Sequence, residues 1–173
     1  MNKYFLQNII RIIILFLVQV LVFKQMTFTV DNKIFIHFFV YPLTILLLPI
    51  KTPRMLLMIS AFIIGLGLDV FYDSIGVHAA ALIFTAYIRN IIIAIIEPFE
   101  GYNINDVPTI KNMGLGWFVY YLSIGLFIHI FVYFSIEAFS FVYFFEIILN
   151  SIFSFIVSFL VIMLIQLIFR PKY

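Results

Sequence analysis

The chain has 173 residues, of which 65% are hydrophobic, 20% aromatic and 10% charged, and its mean hydropathy is +1.21. Soluble domains are about 45–50% apolar and roughly 25% charged, so a soluble enzyme, a disordered protein and a free nucleic-acid binder are all excluded, and the chain reads as an integral membrane protein. A net charge of +2 is too small to call for a polyanionic partner, and the absence of cysteine removes disulfides, thiolate nucleophiles and Cys-based metal sites.

A bilayer core of about 30 Å needs about 20 apolar residues in a helix. The runs predict six spans, at about 4–23, 34–50, 55–72, 77–96, 114–136 and 147–169, in a single transmembrane domain over 1–173. The fold class expected is an all-α bundle of about six transmembrane helices.

The first span follows Met1-Asn2-Lys3 as a signal peptide would. Val22-Phe23-Lys24-Gln25-Met26 offers no small-residue cleavage site, so the span is read as retained. It holds fifteen Leu, Ile, Val or Phe residues, which outweigh the insertion cost of Arg11, about 2.5–3.5 kcal/mol. At 100° per residue Asn8, Arg11 and Gln19 fall within an arc of about 80°. Two readings stand: Arg11 snorkels to the inner headgroups, or the stripe faces another helix or a partner subunit.

The second and third spans are limited by Pro42, Pro49 and Pro53, because proline removes an amide donor and clashes with the preceding turn. Such breaks survive in a membrane where the bundle satisfies the backbone again. The third span carries Ala61, Gly65 and Gly67, and the fourth carries Ala79-Ala80-Ala81 and Ala86. Small faces let backbones approach, so these two spans form a tight central hairpin.

Around that hairpin lie Asp69, Asp73 and His78, with His37 and His129 at matching depth on other spans. Asp69 hydrogen-bonded across the 69–78 turn, to His78, would fix the hairpin. The alternative is that the histidines and carboxylates bind a metal or relay protons, although their spacing is not a zinc motif. Arg89, in the inner half of the fourth span, has Glu97 and Glu100 nearby, which gives an ion-pair or lipid-headgroup site, or again snorkelling.

The longest loop, about 97–113, is polar. The last two spans are free of Lys, Arg, Asp and Glu from 112 to 136 and from 147 to 169. Ser151, Ser154 and Ser158 form a hydroxyl stripe on the sixth. With the N-terminus inside, Lys3, Lys51, Arg54, Lys111, Arg170 and Lys172 are cytoplasmic and Lys24 and Lys33 are outside. Six basic residues against two places both termini in the cytoplasm. There is no Walker loop, no His-Glu-x-x-His and no nucleophile elbow, so neither an enzyme nor a cofactor is expected.

The segment Gly65-Leu-Gly-Leu-Asp69-Val-Phe-Tyr-Asp73-Ser-Ile-Gly76-Val-His78 resembles the rod shape-determining protein family MreD. That family has similar length, five or six spans and a central glycine-aspartate element before a glycine that starts the next helix. The Lys51-Thr-Pro-Arg54 turn also fits its short basic cytoplasmic turn. The resemblance implies a non-enzymatic subunit of the cell-elongation machinery in the bacterial cytoplasmic membrane, serving cell shape and peptidoglycan synthesis. It implies an MreC-like bitopic partner and, through it, the elongation transpeptidase, the glycosyltransferase and the MreB filament. It also implies a fold similar to the substrate-binding subunits of energy-coupling-factor transporters. That makes a small-molecule (vitamin) binding subunit the alternative function. On this view Gly65, Asp69, Asp73, Gly76 and His78 build the hairpin, and Asn8, Arg11 and Gln19 meet the partner.

Overall fold

A computed structural model describes residues 3–30, 34–103 and 106–169. Lys33, Arg170 and Lys172, counted above for orientation, lie outside them. In chain order the elements are α1 (Lys3–Leu21), a 3-10 turn (Phe23–Gln25), β1 (Phe28–Val30), β2 (Ile34–Ile36), α2 (Leu43–Leu46), α3 (Arg54–Tyr72), α4 (Val77–Ile95), α5 (Ile110–Met113), α6 (Leu115–Ala138), a 3-10 turn (Phe141–Tyr143) and α7 (Phe144–Phe169).

Among the described residues five helices are long and apolar enough to cross a membrane: α1, α3, α4, α6 and α7. Each coincides with an expected span to within about three residues. A helix satisfies its own backbone, so an apolar run of this length has no cheaper conformation in lipid.

The second expected span is the correction. Residues 34–50 are not a helix. Ile34–Ile36 is a strand paired antiparallel with Phe28–Val30, 37–40 has no regular secondary structure, and only Leu43–Leu46 is helical. The molecule is a mostly helical membrane bundle, as expected of the all-α class, and it carries one short two-stranded hairpin. The causes are local. Ile34-Phe-Ile-His-Phe-Phe-Val40 is β-branched and aromatic. Pro42 then starts a turn of helix, which Pro49 prevents from continuing.

This irregular segment is the middle of the molecule. Val40, Tyr41, Leu43, Ile45 and Leu46 are all 0% exposed. It runs between the helices from one end of the bundle to the other. Its start lies beside Asn150 on α7, and Tyr41 meets His129 on α6. Leu46 meets Tyr121, two turns along α6. The segment ends where the Ile50 amide donates to the Asp106 carbonyl in the loop before α5.

The closest pairing of helices is α3 against α4. A Cβ on Gly65 would sit 2.3 Å from the Ala79 Cα, so only glycine allows this approach. Lys24 donates to the Phe71 carbonyl, closing the free end of α3 with a cation where the helix dipole favours one.

Candidate functional site

An unwound stretch inside a membrane bundle has amides and carbonyls that no helix ladder satisfies, and each costs several kcal/mol if left alone. The polar side chains singled out in the sequence converge on this stretch.

Its extended half is served by α7 and α1. Asn150 Oδ1, Ser154 Oγ and Ser158 Oγ accept from the amides of Phe35, His37 and Phe39 at 3.1, 3.0 and 2.8 Å. The match is geometric: four helical residues rise about 6.0 Å and two extended residues about 6.6 Å. A polar group at every fourth residue of α7 therefore meets every second amide of the strand. Gln19 on α1 takes the next stretch. Its Oε1 accepts from Val40 and Tyr41, at 2.9 and 3.2 Å, and its Nε2 donates to the Phe38 carbonyl at 2.8 Å. Nε2 also lies 2.8 Å from the Tyr72 hydroxyl.

The other half presents carbonyls, because α2 is too short to use its own. Four in succession are met by side chains. Tyr121 Oη donates to Leu46 at 2.7 Å and Arg11 Nη2 to Leu47 at 2.7 Å. Arg89 Nη2 donates to Leu48 and, at 3.2 Å, to Pro49. Two cations at the C-terminal end of a helix also favour its dipole.

This corrects two expectations. The stripe Asn8, Arg11 and Gln19 does not turn outward to a partner subunit. Gln19 is 2% exposed, and Asn8 Oδ1 accepts from Arg11 Nη2 at 3.0 Å. Arg89 neither snorkels nor pairs with Glu97 or Glu100; it is 0% exposed and points at backbone carbonyls. The stripe was visible in the sequence, but what it serves was not, since a helical segment at 34–50 would have needed none of it.

The hairpin residues come together at the 69–78 turn. Asp73 holds the left-handed C-cap of α3 at φ 54°, and Gly76 precedes α4 at φ 77°, which glycine adopts without strain. Asp69 then reaches across. Its Oδ1 accepts from the His78 amide at 2.9 Å and its Oδ2 from the Ala79 amide at 3.0 Å. A carboxylate thus caps the first free amides of α4. Ser74 Oγ donates to Oδ1 at 2.6 Å, and the His78 Nδ1 lies 3.0 Å away. Ser74, His78 and Asp69 are not a catalytic relay. Serine and carboxylate both face the same imidazole nitrogen, whereas a relay needs the base to bridge them through two.

The three histidines also draw together, around Tyr41 and Tyr133. His78 packs against Tyr41 at 5.6 Å and Tyr133 at 5.0 Å between ring centroids, His129 against Tyr41 at 5.0 Å, and His37 against Tyr133 at 6.4 Å. Hydrogen bonds fix His129. The Thr85 hydroxyl donates its one proton to the Ala81 carbonyl at 2.8 Å, so at 2.7 Å it accepts from His129 Nδ1. His129 Nε2 then accepts from the Tyr41 hydroxyl at 2.7 Å. Among the described residues no three His, Cys, Asp or Glu side chains are grouped to hold a metal ion.

Asn150, Thr85 and Tyr121 escaped the sequence reading. The expected stripe of Ser151, Ser154 and Ser158 is in use as Asn150, Ser154 and Ser158, while Ser151 Oγ turns back to the Ile147 carbonyl at 2.6 Å. The spacing of four from 150 to 154 to 158 was the available signal. Compared with known proteins, the chain matches no family model, no curated protein and no solved structure.

Proposed function

We propose that the chain is a non-enzymatic scaffold subunit of the bacterial cell-elongation machinery, of the MreD kind. The observation that carries this reading is the clamp at the 69–78 turn. Gly65, Asp69 and Gly76 are the residues on which the resemblance to that family rests. In this chain they serve a helix hairpin: close approach, amide capping and a left-handed turn. A motif whose carboxylate is engaged by backbone amides fits a load-carrying element better than a reactive one.

On this reading the chain crosses the cytoplasmic membrane six times with both termini inside. Five crossings are helices, and the segment 34–50 is the other. The partner is an MreC-like bitopic protein, which links the chain to the elongation transpeptidase, the glycosyltransferase and the MreB filament. With Gln19 and Arg11 turned inward, its single helix lies against the opposite face of α1. There Ile10, Ile13, Ile14, Leu17 and Leu21 are exposed at helical spacing. Of the five long helices α1 is the least enclosed by its own chain, so it has the most surface to offer.

The test is affinity purification of the tagged chain from native membranes, with a photo-crosslinker at Ile14. The reading expects a bitopic protein with an N-terminal span and a coiled coil to co-purify and to crosslink, and cells depleted of the chain to round up. Co-purification of a pair of ATPases in its place would contradict it and favour a transporter subunit.

A further inference from the structure

Most polar side chains in the interior are engaged by backbone or by a neighbour, although Arg89 Nε and Nη1 and Gln166 Oε1 have no hydrogen-bond partner among the described residues. One concavity also gathers polar groups with few protein partners. Between β2, α6 and α7 lies a cavity of about 410 Å³, within the range of small-molecule sites. We propose that this cavity binds a small organic cation: a primary ammonium on a molecule that also carries a hydrogen-bond acceptor.

The argument begins with charge. Glu137 and Glu146 both line the cavity, and no lysine or arginine lines it among the described residues. Neither carboxylate is in an ion pair among those residues, and Glu137 receives only a long contact, 3.4 Å, from the Tyr133 hydroxyl. Two carboxylates facing one concavity repel each other unless a cation enters. The walls suit that cation. Phe35, Phe134 and Tyr143 supply aromatic faces, whose quadrupoles attract a positive group.

The second requirement comes from Asn150, which lines the cavity and is 8% exposed. Its Oδ1 accepts from the Phe35 amide. A backbone N–H only donates, so the orientation of the carboxamide is fixed and Nδ2 is the other atom. Nδ2 has no partner among the described residues. It is a donor held in place on the cavity wall. His37 also lines the cavity, and its ring makes no hydrogen bond among the described residues, sitting between Phe39, Tyr133 and Phe134. Anionic, donor and aromatic groups thus converge on one volume. That set matches an amine with a nearby oxygen and offers little to an anion.

This goes beyond the scaffold reading and does not depend on it. The test uses the full chain purified in detergent and two matched pairs of probes: tyramine with tyrosol, and 5-aminopentanol with 1,5-pentanediol. Within each pair a hydroxyl replaces the ammonium. Thermal unfolding and equilibrium titration should show binding of at least one amine and about tenfold or greater preference over its partner, the value of one charge-assisted contact. Glu146→Gln and Glu137→Gln should each weaken that binding by a similar factor. Both positions are solvent-exposed, so the unliganded variants should unfold no earlier than wild type. Glu97→Gln, at the far end of α4, should bind as wild type. Equal binding of amine and alcohol, no binding of either amine, or unchanged affinity in both glutamine variants would each overturn the proposal. None of these results bears on whether a bitopic partner co-purifies.

Discussion

Gly65 and Asp69 carry the most stringent demands of any single residues. Because an added Cβ at Gly65 would sit 2.3 Å from a backbone atom of Ala79, the neighbour cannot yield as a flexible side chain would. Gly65→Ala should therefore cost about 1–3 kcal/mol by overpacking, read as a lower unfolding temperature in detergent and less protein in the membrane. Asp69 receives two amides, a hydroxyl and an imidazole on two acceptor oxygens. An asparagine would turn an NH2 group towards at least one of those donors. Asp69→Asn should cost a comparable amount, about 1–3 kcal/mol for the orphaned donors, and adding back a general helix stabiliser elsewhere should not restore the pairing of α3 with α4. Unfolding like wild type in both variants would mean that the turn is not the clamp described.

At the scale of elements, α1 and α7 act as templates for a neighbour that cannot hold itself together. Gln19→Leu makes α1 more apolar, which favours insertion, yet it leaves the Val40 and Tyr41 amides and the Phe38 carbonyl without a partner in a closed interior. The cage predicts a net loss, at about 1–3 kcal/mol per orphaned group. The serines of α7 give an internal comparison. Ser158→Ala removes the acceptor of the Phe39 amide and should destabilise clearly. Ser151→Ala removes only a bond to its own helix at Ile147 and should stay within about 0.5 kcal/mol. If the two alanine variants unfold together, the α7 stripe does not support the strand. The same elements mark what a sequence can reveal. The five long helices were legible because hydropathy and length suffice for them. The segment at 34–50 was not, because apolar content is the same for a membrane helix and for an irregular stretch enclosed by one. Pro42 and Pro49 signalled trouble, but the remedy was distributed over Gln19, Arg11, Arg89, Tyr121 and the α7 stripe, far apart in the chain. Periodicity showed that Asn8, Arg11 and Gln19 share a side. Which side faces inward is a property of the packed bundle alone.

For the whole molecule, the proposed topology has 34–50 carrying the chain from one side of the membrane to the other in a largely unwound form, completing six crossings. The native chain has no cysteine, so single cysteines report without background. The direct measurement is labelling with a membrane-impermeant thiol reagent in intact cells, at Thr29 before the segment and Lys51 after it. Ile75 and Phe139 serve as outer references and Phe99 as an inner one, all three almost fully exposed. Labelling is expected at Thr29, Ile75 and Phe139, and at Lys51 and Phe99 only after the membrane is opened. Labelling of Thr29 and Lys51 from the same side would contradict it, since the segment would then enter and leave the bundle on one face.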